Sequence, residues 1–314
     1  KLPLPKTPTL AFLVALVNFF FISGLAFFSI YKSKLIYEFG LNLGIDFLGG
    51  TLWEINFSVQ DEFELVEQVR PNNEIIQNAL NSFNLGEIVI QPTDNNGIIL
   101  RFKDVDENTH QAMLTKLNEI SIVKEKRFES IGPTIGKELK EKTIALIIIS
   151  LIVLLIYIAI SFRKLKWPIA SWQYGIVSII TLALDVLVTL LVLILLGKFY
   201  NVQLNIAIVA ALLTIIGYTI NDKVIVFDRV RENILKERMG SFSETVNKSL
   251  NQILGRSLST GACTLIILFV LFFLGGETLK YFSLTLIIGI IVGTYTSLFV
   301  ASSILVSWGL RGKG

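Results

Sequence analysis

The chain has 314 residues, of which 53% are hydrophobic and only 17% charged. With glycine counted and tyrosine left out, the apolar share is roughly 58%, against about 45–50% in globular domains, where charged residues reach about 25%. This composition excludes a disordered chain, and a single cysteine excludes a disulfide scaffold.

Stretches free of Asp, Glu, Lys and Arg cover 9–31, 143–162, 199–221, 257–276 and 281–310, and a sixth window, 167–197, holds one charge, Asp185. About 20 residues at a rise of 1.5 Å cross a hydrocarbon core of about 30 Å, so each window can span as a helix. The sequence therefore predicts an α-helical membrane protein with six transmembrane helices. The first window is longer than the apolar region of a signal peptide and is not closed by a small-x-small cleavage site, so it reads as a retained anchor within an N-terminal segment, 1–31. Orientation follows from short basic loops, which stay on the cytoplasmic side. With both termini inside, the inner flanks carry 13 Lys and Arg, whereas the two short outer loops carry only Lys198 and Lys280. Residues 32–142 then form an extracytoplasmic domain, and 143–314 a five-helix transmembrane domain with a cytoplasmic loop at 228–256. The outer segment has net charge −6 and the remainder +9, so the total of +3 is a sum of opposed faces. It does not indicate nucleic-acid binding.

Within 32–142 the hydrophobic period changes repeatedly. Residues 51–58 alternate as a strand, 72–83 place Ile75, Ile76, Ala79, Leu80 and Phe83 at helical spacing, and 87–91 is strand-like again. Asn95, Asn96 and Gly97 signal a hairpin with 98–102 as its return strand. A helix is predicted over 109–120, capped by Asn108 and burying Met113 or Leu114, Leu117 and Ile120, followed by a strand at 121–128. The order β-α-β-β-α-β predicts a ferredoxin-like α+β domain between the first and second helices. His110 is expected in the exposed first turn of its helix, without a proton-shuttle role.

Several chemistries are excluded. His110 is the only histidine and Cys263 the only cysteine, which removes the usual metal sites and the Ser-His and Cys-His catalytic pairs, and no Gly-x-x-x-x-Gly-Lys phosphate loop is present. No enzyme activity, metal or cofactor is predicted. The informative residues are ionisable groups inside the apolar windows, each of which costs on the order of 2.5–3.5 kcal/mol to insert. Asp185 stands near the middle of the third helix. Asp222 and Lys223 interrupt the fourth, with Asp222 about 8 Å from its inner end. Arg256 opens the fifth helix, which runs the opposite way, so Asp222 and Arg256 can share a depth and pair. Arg256 reads alternatively as an anchor reaching lipid headgroups, and Lys223 reads as such an anchor. Asp185 reads either as a polar contact between helices or as part of a relay. Burial disfavours the charged form of a carboxylic acid and a nearby guanidinium favours it, so moving Arg256 relative to Asp222 would change the affinity for a proton. One charge crossing about 150 mV releases roughly 3.5 kcal/mol, and moving a two-state equilibrium from 1:99 to 99:1 needs about 5.5 kcal/mol, so one or two protons per cycle suffice.

The run GIDFLGGT at 44–51, with Gly44, Asp46, Gly49 and Gly50, precedes the outer domain, and IGPTIGKEL at 131–139, with Gly132 and Pro133, closes it. GYTINDKV at 217–224, with Asn221, continues into FDRVREN at 227–233, with Asp228, Arg229, Arg231 and Asn233. NKSLN at 247–251 leads through Arg256 and Ser257 to Thr260. Across almost the whole chain these residues resemble the SecF family of protein-export membrane subunits, in the resistance-nodulation-division superfamily. The resemblance implies that Asp222 and Arg256 are needed for proton-coupled function and that Asp185 is a recurrent acid. Gly261 and Cys263 stand where relatives often have hydroxyl residues, which leaves Thr260 and Thr264 as the hydroxyls of a polar path along the fifth helix. Gly44, Gly49 and Gly50 read locally as tight-turn residues or as a hinge, and 228–233 as a solvated helix end or a docking surface.

The resemblance further implies a SecD subunit completing a heterodimer, either separate or fused upstream, together with the Sec translocation channel, a preprotein substrate and membrane lipid as partners, in a bacterial inner membrane or its equivalent. The function expected is that of an accessory subunit that uses proton motive force for late-stage preprotein translocation and release on the outer side. A proton-driven exporter of small molecules or lipids and a non-transporting assembly scaffold are the rival readings.

Overall fold

The computed structural model describes residues 42–58, 70–93, 96–162, 171–200, 202–236 and 241–311. The first apolar window, 9–31, and Asn95 of the hairpin lie outside the described residues. The chain divides into two compact units, Leu43–Ala145 and a second that takes in Asn42 and the chain from Leu146 onward.

The first unit contains a short helix α1 (Ile45–Leu48), strand β1 (Gly50–Ser58), helix α2 (Asn73–Leu80) with a 3-10 turn over Asn81–Phe83, strands β2 (Val89–Thr93) and β3 (Gly97–Phe102), helix α3 (Glu107–Asn118) and strand β4 (Ile122–Ile131). The four strands form one sheet in the order β2-β3-β1-β4, and every neighbouring pair is antiparallel. Alternation assigns Trp53, Ile55 and Phe57 of β1 and Ile98, Leu100 and Phe102 of β3 to one face. These residues pack with Ile76 and Leu80 of α2 and with Met113 and Leu117 of α3 in a single core. Asn96 takes the left-handed conformation at the β2–β3 turn, φ 59°. Asp106, rather than Asn108, caps α3, because its carboxylate accepts the Thr109 amide.

Two expectations for α3 fail together. Ile120 is exposed, and the buried stripe is instead His110, Met113 and Leu117. His110 is only 4% exposed. Its Nε2 lies 2.6 Å from Glu125 Oε2, which also accepts from Trp53 Nε1 at 2.7 Å, and its Nδ1 lies 3.2 Å from Glu107. The ring stacks on Phe128 with centroids 3.6 Å apart. Ile120 lies beyond the end of α3 at Asn118, and His110 shares the face of Met113 and Leu117; a bulge in β4 supplies its partner, since Glu54 pairs with Arg127 but Ile55 with Glu125, so one residue is skipped. A one-residue shift exchanges the faces of a strand. Glu125 is thereby placed opposite Ile55, on the face that carries α3.

The runs at 44–51 and 131–139 meet at the base of this unit. Gly49 and Gly50 have φ of 77° and 121°, where side chains are strained. Contact distance makes the same demand, since a Cβ on Gly49 would stand 2.9 Å from Pro133 Cα and one on Gly136 would stand 2.8 Å from Gly49 N. Gly44 O accepts the Phe47 and Leu48 amides, Asp46 sits in the first turn of α1, and Gly132 O accepts the Gly136 amide. The two signatures form a backbone joint. Pro133 opens the helix that follows, the position at which a missing N–H costs nothing.

The second unit is built from the part of α4 (Pro133–Phe162) beyond Ala145, α5 (Ser171–Tyr200), α6 (Ile206–Lys236), α7 (Phe242–Leu274), α8 (Glu277–Tyr295), a π-helical segment (Thr296–Val300) and α9 (Ala301–Arg311). α8, the π segment and α9 are consecutive, so the described residues hold five helices long and apolar enough to cross a membrane. α4 exposes Ile148, Ile149, Ile152, Val153, Ile156 and Ile160, an apolar surface suited to lipid or another helix. Asp222 and Lys223 do not interrupt α6, which continues to Lys236. α7 starts at Phe242 under a capping box of Ser241 and Glu244, well before the apolar window at 257. Most of the stretch 228–256 is therefore helical.

α6 and α8 approach closely through small residues. Gly289 and Gly293 are four apart in α8, and a Cβ on either would collide with the side chain of Ile215 or Thr219 in α6. Such Gly-x-x-x-Gly spacing lets helices touch where lipid provides no hydrophobic drive between them.

Candidate functional site: buried charges in the membrane bundle

Close packing of α5, α6 and the α8–α9 run brings ionisable side chains into a region without solvent. Asp185 of α5 and Lys223 of α6 are both fully buried and form an ion pair, Nζ to Oδ2 at 2.6 Å. Thr296, the first residue of the π segment, donates its hydroxyl to Asp185 Oδ1 and also contacts Gly293 O at 3.1 Å. A π turn shifts side chains relative to the helical register and recurs at functional sites. Here it begins three residues after Gly293, whose absent side chain leaves room for Thr219 and for Asp185 Oδ2.

Lys223 is thus not an anchor reaching for headgroups. An ammonium without solvent needs a carboxylate partner, and Asp185, 38 residues earlier in the chain, supplies it. Nothing in the local sequence marks this pair. The signal that could have found it was the coincidence of one lysine and one aspartate in separate apolar windows.

Asp222, the neighbour of Lys223, is 4% exposed and points elsewhere. Its Oδ2 has no hydrogen-bond partner, and Thr294 of α8 and Lys223 are the groups that act on its carboxylate. The anticipated pairing of Asp222 with Arg256 is not formed in this structure. Arg256 lies on the exposed side of α7, whereas Asp222 is buried within the bundle. Thr260 is exposed on the same helix and donates to Arg256 O, and Thr264 donates to Thr260 O, so both hydroxyls are used along α7.

The C-terminal end of α6 and the N-terminal end of α7 are joined by a polar clasp. Arg229 donates to Gln252 at 2.7 Å and contacts Glu232, and buried Asn233 donates to Ser249 and Gln252, each at 2.8 Å. Asp228 and Arg231 face each other more loosely at 3.9 Å, and Asn221 is exposed. The charged run at 228–233 therefore divides into residues that tie two helices and residues on the surface.

Five apolar helices that keep an acid–lysine pair and a second acid away from water define a multi-pass membrane protein that holds charge within the span. Residues 110–311 match the family described as protein export membrane protein SecD/SecF, C-terminal, and residues 35–60 match the SecD/SecF GG motif. The protein translocase subunit SecF of Thermobaculum terrenum is 39% identical over 277 residues, covering 86% of this chain and 85% of that one. The SecF subunit of Desulfurispirillum indicum is 35% identical over 286 residues, covering 86% and 82%. The crystal structure of SecDF from Thermus thermophilus, a translocon-associated membrane protein, is similar with a TM-score of 0.75 and 29% identity. That match takes in 95% of this chain and 38% of the SecDF chain, so the chain spans well under half of that protein. The chain belongs to the SecF family of protein translocase subunits.

Proposed function

We propose that the protein is an accessory subunit of the Sec translocase in a bacterial inner membrane, and that it uses proton movement through Asp222 to drive late-stage translocation and release of preprotein on the outer side. The observation that carries this reading is the buried carboxylate of Asp222, whose Oδ2 is unpaired beside the closed Lys223–Asp185–Thr296 network. An acid in that position can take up and lose a proton without dismantling the pair next to it. Arg256 enters as the alternative partner of Asp222 in a second arrangement of α6 and α7, and alternation between the two arrangements is the switch. Asp185 holds Lys223 in place in both.

Completion of the machine requires a SecD subunit as a second half, the translocation channel, the exported polypeptide and lipid. Both termini lie in the cytoplasm and residues 32–142 outside, where we read the β-α-β-β-α-β unit as ferredoxin-like, with 9–31 as the sixth transmembrane helix. The test is reconstitution with SecD and the channel in proteoliposomes. An imposed proton gradient stimulates preprotein release by the wild type and not by Asp222→Asn. Full stimulation of that variant would refute the reading.

A further inference from the structure

Besides Asp222 Oδ2, the hydroxyl oxygens of Tyr218 in α6 and Thr294 in α8 are buried and make no hydrogen bond of good geometry, although Thr264 of α7 adjoins the Tyr218 hydroxyl. Tyr218 and Asp222 are four residues apart and share a face of α6. The Thr294 hydroxyl adjoins the Asp222 carboxylate, and Tyr218 lies within its electrostatic reach. Both hydroxyls also converge on Gly261 of α7, where a Cβ would stand 3.6 Å from Thr294 Oγ1 and 4.0 Å from Tyr218 Oη, ordinary contact distances. Two helices, α6 and α8, thus direct two hydroxyls toward Gly261 of a third, α7, with the Asp222 carboxylate beside Thr294. Buried polar atoms of this kind are costly unless something donates to them and accepts from them.

We propose that Tyr218, Thr294 and the open side of Gly261 form a water-binding pocket against Asp222, and that water held by the two hydroxyls passes the proton to Asp222 Oδ2. Water fits the chemistry because it donates to a carboxylate while accepting from a hydroxyl, and a polar site with two to four partners retains it. The transfer balances simply: an O–H bond of hydronium in the pocket breaks as the O–H bond of the carboxylic acid forms, and water remains. Tyr218 and Thr294 are positioning residues that act through the water. The proposal rests on the proton-coupled reading of Asp222, and its tests are separate from that reading.

The experiment uses the full chain with SecD and the channel in proteoliposomes, in three arms. In the first, Tyr218→Phe and Thr294→Val each reduce gradient-stimulated preprotein release several-fold. In the second, the carboxylic-acid C=O stretch of Asp222, identified in infrared difference spectra by its loss in Asp222→Asn, shifts in both variants, which a merely structural role would not produce. In the third, Gly261→Ala and Gly261→Ser place the same Cβ in the pocket, but only the serine brings a hydroxyl that can bond Tyr218 and Thr294. Gly261→Ser is therefore expected to release preprotein several-fold faster than Gly261→Ala. Equal rates for the two glycine variants, with an unmoved C=O band in Tyr218→Phe and Thr294→Val, would overturn the pocket while leaving Asp222 in its role. Retained stimulation in Asp222→Asn would overturn the underlying reading instead.

Discussion

The two units each bury a basic side chain against a carboxylate, and they treat it differently. In the first unit, Leu43–Ala145, His110 has a carboxylate on each ring nitrogen, and Glu125 also receives Trp53, while a third of the Glu125 side chain remains exposed. In the membrane unit Lys223 and Asp185 are both fully buried, and the nearby Asp222 keeps an unpaired oxygen. A network completed at a solvated edge fixes a structure. One closed inside lipid beside an unsatisfied acid is costly unless it is used.

The sharpest way to break this contrast is Asp185→Ala. It strands Lys223 without solvent or partner, and leaving a buried charge uncompensated typically costs about 3–5 kcal/mol. Denaturation of the purified chain in mixed micelles should show that loss, whereas Asp185→Leu combined with Lys223→Met should recover most of it. If the single variant were as stable as the wild type, the pair would not be the closed, dry contact described. His110→Leu is the matching change in the first unit. It removes hydrogen bonds to two carboxylates but leaves both able to reach water, so about 2 kcal/mol is expected. Amide exchange in α3 and β4 measures it. A loss as large as that of Asp185→Ala would abolish the distinction between the two networks.

Close packing is the next smaller effect. Gly293→Ala puts a methyl group into the Thr219 side chain and should destabilise the bundle by roughly 1–2 kcal/mol. Gly217→Ala is the control, since a Cβ there meets nothing within 4 Å and alanine is the better helix former. If the two variants unfold alike in the same micelles, the α6–α8 contact does not depend on Gly293.

Segregated charge and window length were sufficient to read the five apolar helices of the described residues, and the change from period 2 to period 3.6 was sufficient for the order of strands and helices between 51 and 128. Asp222 and Asp185 also stood out, because an acid in an apolar window has few structural reasons to be there. Partners were harder to read. Lys223 resembled an anchor since its carboxylate lies on another helix, and Arg256 resembled the partner of Asp222 since depth along a helix can be read from sequence whereas rotation about its axis is set by packing against its neighbours. The partner of His110 was missed because a single bulge in β4, invisible to alternation, moves Glu125 to the other face. The π turn at Thr296–Val300 and the contact made by Gly289 and Gly293 likewise depend on tertiary packing.

The smallest effect concerns a charge that is not buried. Asp106 caps α3, and its carboxyl is held below its ordinary value of 3.8, first by the hydrogen bond from the Thr109 hydroxyl and then by that from the Thr109 amide. A depressed carboxyl stabilises the folded chain at pH values above its ordinary one and ceases to do so as pH falls through the folded value. Asn at this position caps a helix as well but does not titrate. The difference in α3 amide protection between the wild type and Asp106→Asn should therefore be small and constant near neutral pH and should shrink only as the pH drops below 3.8. Other carboxyls titrate in both proteins and cancel in the difference. A margin that instead grew in acid would mean that the carboxylate opposes the cap, and the contrast drawn between solvated and buried charge would then fail on its simplest case.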